Sequence, residues 1–437
     1  MKEDFLNRMK EYLSEDEFQL LLNCYQEKPQ RGLRIHHIHP DLFFKNLAIP
    51  VEKLDFDPDG YAVFGEEKYG NHPYHHAGAF YMQEPSAMAP VNMYTFRGDE
   101  LVLDLCAAPG GKSSQLASRL KNGVLFSNDP NMKRSRVLFG NLERMGFSNV
   151  VVLNETPAHL ASELEGVFDV ILVDAPCSGE GMMRKDEEAV AQWCDGLVLE
   201  CQKRDCEILD AAHLMLKENG ILIYSTCTFS KEEDEDMVNY MVLKYAYQVR
   251  KPAEVLLSST KEGFIKNTLR FYPFTGKGEG QFMALLQKQT PTEKKSFSNR
   301  KRDKDPDLKY VQAFIEKNLN HFNQNILKIK NRYYATCTDL DLSNLNVLNA
   351  GVELGEVVRN RFIPYHHFFK AFGKYFKNRL VLHLEDPRVT SYLHGEEIQA
   401  DLPNGYGVIE LDGLYLGGFK AVDGRLKNYY PKGLRSN

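Results

Sequence analysis

The chain has 437 residues, 43% of them hydrophobic and 26% charged, with a formal net charge of −6. That length allows two or three domains with cores of their own, and that balance belongs to a globular chain rather than a disordered or membrane-embedded one. An acidic total excludes a global attraction to nucleic acid, so any basic surface has to be local.

The opening stretch, MKEDFLNRMKEYL, is charged and helical, without the apolar run of a signal peptide. No later stretch is long and apolar enough to span a membrane. The eight cysteines contain no CxxC pair, which argues against zinc and for reduced thiols in a cytoplasm. Asp4 to Tyr25 carries apolar residues at helical spacing. Gln30 to Ile35 reads as a turn entering a strand, where Arg31 and Arg34 are candidate phosphate contacts or simply solvated charges. Residues 36 to 80 are rich in His, Pro, Gly and aromatics and do not divide clearly. Tyr81 to Met88 enters a helix near Pro85 and Ser86.

From Leu101 to about Lys288 strands and helices alternate. The strand-like runs are Leu101–Leu105, Val124–Ser127, Val150–Leu153, Val170–Val173 and Ile221–Ser225. Helical patterns such as 132–145 and 198–216 lie between them. This alternation predicts right-handed crossovers and a mostly parallel α/β sheet. Lys231 to Tyr245 is a further helix, and Gln281 to Leu286 a late strand, antiparallel at the sheet edge. Lys294 to Lys304 is basic and without apolar period: a solvated linker that is also a candidate phosphate contact. After a helix at 307–319, the chain from Leu327 is rich in short strands and turns. The segments 415–420 and 426–435 mix basic and aromatic residues, which suits phosphate contact and base stacking.

The loop after the first of the alternating strands is the most informative stretch. Cys106, Ala107, Ala108, Pro109, Gly110 and Gly111 form a turn of little bulk, and Lys112 then opens a helix. A strand, a small-residue loop and a helix N-terminus make a ligand cradle. A phosphate-binding P-loop fits Gly111-Lys112-Ser113, but its first glycine would fall at Cys106. A nucleoside-binding loop needs an acid at the next strand end, and Asp129 stands there. Two further strand ends carry Asp174-Ala175-Pro176-Cys177 and Ser225-Thr226-Cys227. Ligands in open α/β sheets bind outside the carboxyl ends of the strands, so Asp104, Asp129, Asp174, Cys177 and Cys227 should meet in one crevice. A lone cysteine is more often a small buried hydrophobe; two at equivalent strand ends, beside an acid, read as chemistry.

DLCAAPGGK at 104–112, DAPCSGEG at 174–181 and STCTF at 225–229 resemble the motifs of the NOL1/NOP2/Sun family of RNA cytosine-5 methyltransferases. RGLR at 31–34, QEPSAM at 83–88 and LKNYYPKGLR at 426–435 are similar to the bacterial RsmF-type 16S ribosomal RNA enzymes. The resemblance covers nearly the whole chain. It implies an S-adenosylmethionine (SAM) cofactor, no metal, and a Rossmann-like methyltransferase sheet at 81–290. An α+β RNA-binding domain at 1–80 would precede the sheet. A basic linker at 291–305, an intermediate domain at 306–378 and a PUA-like β-rich RNA-binding domain at 379–437 would follow it. The implied substrate is 16S rRNA or the small ribosomal subunit, met by a cytoplasmic monomer with no membrane attachment.

Carried over by position, Cys106 to Lys112 surround the methionine part of SAM, Asp129 binds the ribose, and Asp174 closes the cofactor site and meets the base. Cys227 is then the nucleophile, and Cys177 assists its release. The family often has an aspartate after the third strand to hold the adenine amino group; here the residue is Asn154, whose side-chain carbonyl can accept that bond. The chemistry requires such groups, because C5 of cytosine becomes nucleophilic only after a thiolate adds at C6. A tRNA cytosine-5 methyltransferase of the same family, a P-loop NTPase and a non-catalytic RNA-binding protein are the other readings. The cysteines at both strand ends oppose the last two.

Overall fold

The computed structural model describes residues 2–47, 49–65, 67–292 and 305–435. Five apolar runs form the parallel centre: β1 (Leu101–Asp104), β2 (Val124–Asn128), β3 (Val150–Leu153), β4 (Phe168–Asp174) and β5 (Leu216–Thr226). Two more strands follow, β6 (Leu269–Phe271) and β7 (Gln281–Gln287), and the sheet order is β3-β2-β1-β4-β5-β7-β6. Alternate residues feed opposite faces, as a period of two demands. Leu103, Val151, Ile171 and Leu222 pack with Leu160, Leu209 and Val238 of helices Pro157–Glu163, Asp195–Met215 and Glu235–Tyr245. Val102, Val152, Leu172 and Ile223 pack with Leu116, Leu138 and Leu142 of helices Gly111–Arg119 and Met132–Arg144.

Two expectations change here. The late strand β7 is antiparallel to β5 but is not an edge, since β6 pairs with its other side. Its residues from Phe282 to Leu286 are all buried, the continuous pattern of a strand covered on both faces. The segment expected as an intermediate domain, 306–378, is joined to the methyltransferase sheet. Its long strand β8 (Val347–Val358) pairs antiparallel with β3, and the strands Arg332–Thr336 and Asn325–Ile329 continue the sheet beyond it. Of the basic linker, 293–304 lies outside the described residues.

The N-terminal helices Glu3–Tyr12 and Glu15–Cys24 pack Phe5, Met9 and Leu21 against Trp193 and Phe229, close to one of the cysteine loops. A four-stranded sheet, 51–53, 60–63, 31–35 and 80–82 in that spatial order, follows them. The C-terminal unit is a five-stranded sheet in the order 378–382, 405–411, 414–422, 425–428, 398–399. These two units are not independent, because a single cluster of buried side chains runs from Leu33, Phe43 and Phe80 to Tyr392, Leu416 and Leu426. Polar contacts reinforce it. Tyr74 Oη donates to Asp412 Oδ2 at 2.8 Å, His76 Nδ1 and Tyr430 Oη are 2.7 Å apart, and buried Lys370 donates to the carbonyl of Ala77 at 2.8 Å. Among the described residues, no helix is long and apolar enough to cross a membrane.

Candidate active site

A cavity of about 480 Å³ opens above the carboxyl ends of the parallel strands. Cys106 and Ala108 from the loop after β1, Asp129 after β2, Asp174 and Cys177 after β4 and Cys227 after β5 all line it. Of the acids expected in this crevice, Asp104 does not reach the cavity. It lies beneath the loop, buried, where its Oδ2 accepts from Ser113 Oγ at 2.7 Å. Burial pushes its carboxyl up to about 7, and its Oδ1 has no hydrogen-bond partner.

The loop turns at Gly110, whose φ of +110° no side-chain-bearing residue adopts cheaply, and the Gly111–Arg119 helix begins directly after it. Ala107, Pro109, Gly110, Gly111 and Lys112 do not line the cavity. Lys112, which would reach phosphate in a P-loop, instead donates to Asp174 Oδ2 at 2.7 Å. Burial opposes the Lys112 charge, but Asp174 and then Cys227 outweigh it and hold the ammonium above its ordinary value. Asp174 is held from three elements, since Ser225 Oγ donates to its Oδ1 at 2.7 Å and Gln281 Nε2 does so at 3.2 Å. Ser225 and Gln281 were not singled out in the sequence: one is a small polar residue before a cysteine, the other the first residue of a strand whose pairing only the fold reveals.

Asp129 is buried, its Oδ1 accepting from the Asn131 amide at 2.9 Å and its Oδ2 lying 3.3 Å from Arg134 Nη2. Arg134 also donates to the Ala108 carbonyl at 2.9 Å, tying the cradle loop to the next helix. Asn154 does not line the cavity. Its Nδ2 donates to the Asp129 carbonyl at 2.8 Å and its Oδ1 accepts from Asn346 at 3.2 Å. The wall beyond Asp129 consists of Thr156, Pro157 and Ala158.

The sulfurs of Cys177 and Cys227 are 3.2 Å apart, both as free thiols. The hydrogen bond to Cys227 and then burial push the Cys177 thiol well above its ordinary value. A reciprocal clamp holds the two loops together. Glu233, past β5, accepts from Ser178 N at 2.7 Å and Ser178 Oγ at 2.6 Å. Glu180, past β4, accepts from Phe229 N at 3.0 Å, and Gly181 N donates to the Cys227 carbonyl at 2.9 Å. A Cβ on Gly181 would lie 2.7 Å from Gly280 Cα and 2.9 Å from that carbonyl, so only glycine allows the approach.

The expected RNA contacts fare differently. Arg34 is 1% exposed and donates to Gln83 Oε1, the Gly111 carbonyl and Ser114 Oγ, so it cannot meet phosphate. These acceptors come from two segments far along the chain, around Gln83 and in the Gly111–Arg119 helix, which is why the sequence alone gave no sign of its burial. Arg31 donates to the carbonyls of Gly65 and Glu67 at a more exposed position. In the C-terminal segment Tyr430 is core, whereas Lys427 is exposed and Tyr429 half-buried.

Comparison with known proteins agrees with this architecture along the chain. Residues 91–287 match the family 16S rRNA methyltransferase RsmB/F. Residues 1–85 match the N-terminal domain of 16S rRNA methyltransferase RsmF, and 368–436 the methyltransferase RsmF PUA domain. The ribosomal RNA small subunit methyltransferase F of Vibrio campbellii is 30% identical over 84% of this chain and 81% of its own. That of Shewanella loihica is 28% identical over 99% of this chain and 95% of its own. Among solved structures, a methyltransferase homolog protein from Pyrococcus horikoshii is similar at a TM-score of 0.55 and 25% identity, covering 66% of this chain and 95% of its own. NSun6 from the same organism shares the fold at a TM-score of 0.60 and 18% identity, covering 66% and 98%. The central fold is thus that of a Rossmann-like methyltransferase. The chain belongs to the RsmF family of ribosomal RNA small subunit methyltransferases, with a PUA domain at its C-terminal side.

Proposed function

We propose that this protein, acting as a cytoplasmic monomer, transfers a methyl group from SAM to C5 of a cytosine in 16S ribosomal RNA, with Cys227 as nucleophile. The observation that carries this reading is the thiol pair: two sulfurs 3.2 Å apart, from neighbouring strand ends, lining one cavity with an anchored carboxylate. The cavity volume of about 480 Å³ suits a small-molecule cofactor. The residues fit SAM. Buried Asp129 on the cavity wall can take ribose hydroxyls, and Cys106 and Ala108 put little bulk beside it. When bound, SAM supplies an electrophilic methyl group.

The chain's own groups do the rest. Cys227, once its proton is lost to solvent, adds as the thiolate through Sγ to C6 of the base, and the displaced electron pair makes C5 nucleophilic. Asp174, fixed by Lys112, Ser225 and Gln281, offsets positive character at N3 and N4 without having to reorganise. Once C5 carries the methyl, its proton must leave before the C6–S bond can break and restore the aromatic ring. Cys177 is held as a thiol with its sulfur 3.2 Å from Cys227 Sγ, so it can give its proton to the departing Cys227 sulfur and receive the C5 proton in its place. The base must be unstacked to be reached, at a cost of roughly a few kcal/mol, which favours single-stranded or distorted RNA. Bisulfite sequencing of ribosomal and transfer RNA from cells with and without the gene tests the reading. A 5-methylcytosine lost from 16S rRNA supports it; loss from tRNA alone, or from neither, overturns the assigned substrate.

A further inference from the structure

A second cavity, of about 690 Å³, shares no residue with the first. It lies where the helix Leu308–Asn318, the start of the strand Arg361–Pro364 and the strands Gly405–Leu411 and Leu414–Val422 meet. Its lining holds three cations, Lys317, Arg361 and Lys420, and no carboxylate. In a chain of net charge −6 that is a local reversal of sign. Among the described residues none of the three is ion-paired; Lys420 Nζ lies over the Tyr406 ring, 5.4 Å from its centroid. The same walls carry Tyr310, Tyr406 and Tyr429, each half-buried, backed by buried Phe314 and Phe362. The Tyr406 and Tyr429 rings are fixed in advance. Phe314 meets Tyr406 edge-on at 4.9 Å, the hydroxyls of Tyr406 and Tyr429 are 3.1 Å apart, and Asn318 Oδ1 accepts from the Tyr406 amide at 3.1 Å.

We propose that this groove binds an unstacked nucleotide of single-stranded RNA, its base against a tyrosine ring and its flanking phosphates on Lys420 and Arg361. This rests on the reading that the chain works on RNA. Unpaired cations beside preset aromatic rings are what single-stranded nucleic acid uses: phosphate supplies charge, and every base has a face to stack. An acidic peptide would use the cations and leave the rings idle. A duplex would present its phosphates but keep its bases stacked inside.

The test measures anisotropy of a short fluorescein-labelled oligouridylate with the full-length protein across a salt series. The double variant Arg361→Ala with Lys420→Ala should weaken binding and reduce the slope of log affinity against log salt by about 1.4, two phosphates' worth of counterions. Tyr310→Ala should lose about tenfold in affinity while Tyr310→Phe keeps it, because the ring and not the hydroxyl stacks. SAM affinity and melting temperature should stay unchanged in each, and Lys317→Ala offers an exposed third site if the double variant is unstable. No binding by the wild type, an unchanged slope in the double variant, or competition by inorganic polyphosphate equal to that by unlabelled oligouridylate would overturn the proposal. Methyl transfer to ribosomal RNA by the wild type is read separately. If it is present while the variants bind normally, the groove assignment alone falls; if it is absent while the groove binds, the enzymatic reading falls.

Discussion

On the proposed mechanism, the two thiols in contact divide the work on one base by position. Cys227→Ala is expected to abolish both the covalent enzyme–RNA complex and methyl transfer. Cys177→Ala should permit attack and accumulate the complex, seen as a shifted band on a denaturing gel with SAM and substrate RNA. The reverse pattern would exchange their roles. Asp129→Ala should weaken SAM binding about tenfold or more by calorimetry, since hydrogen bonds to a carboxylate contribute roughly 1.5–3 kcal/mol; unchanged affinity would remove it from the ribose role. Cys177, Cys227, Asp129 and Asp174 were legible because each ends a short apolar run, and strand ends share one side of a parallel sheet. Their supports were not. Ser225 and Gln281 meet Asp174 only through strand pairing, and Asn154, legible by position, turns its amide to the Asp129 carbonyl instead.

At the scale of elements, the loops after β4 and β5 hold each other through Glu233 and Glu180. Burial pushes Glu233 up to about 7, against the pull of its Ser178 hydrogen bonds. The native state therefore keeps this proton to higher pH than the unfolded chain does. The stability it contributes is full below its ordinary value of 4.5, is lost as pH rises towards about 7, and is level beyond. Glu233→Gln should flatten that slope, by on the order of 2 kcal/mol in urea unfolding between the two limits, and should slow methyl transfer by loosening Cys177. An equal pH slope in variant and wild type would show that Glu233 does not titrate there. Arg34→Met should cost about 3 kcal/mol, because three buried acceptors lose their donor, and should weaken SAM binding through Gly111. The alternation of strand and helix was plain in the sequence. The pairing of β8 with β3 was not, because nothing local marks a strand near residue 350 as a partner of one near 150.

For the molecule as a whole, the shared core between the N-terminal and C-terminal sheets changes how its parts can be separated. Deleting 379–437 removes Tyr392, Leu416 and Leu426 from a cluster that also contains Leu33, Phe43 and Phe80. The expected outcome is a lower melting temperature and rapid hydrogen exchange at residues 73–82, with SAM and RNA binding lost together. Retention of full SAM affinity and native exchange at 73–82 would show the two units to be separable. Point variants are therefore the cleaner probe of RNA contact.

That shared core also sets a clock on manufacture. Domains generally fold as the ribosome releases them, in chain order. Here the sheet that emerges first, between residues 31 and 82, finds part of its packing only when the strand Leu414–Val422 has been made. For most of translation the newborn chain carries an unfinished apolar side, the kind of surface that chaperones hold and proteases inspect. A message cut short before residue 414 is therefore expected to yield a chain whose first sheet lacks part of its packing.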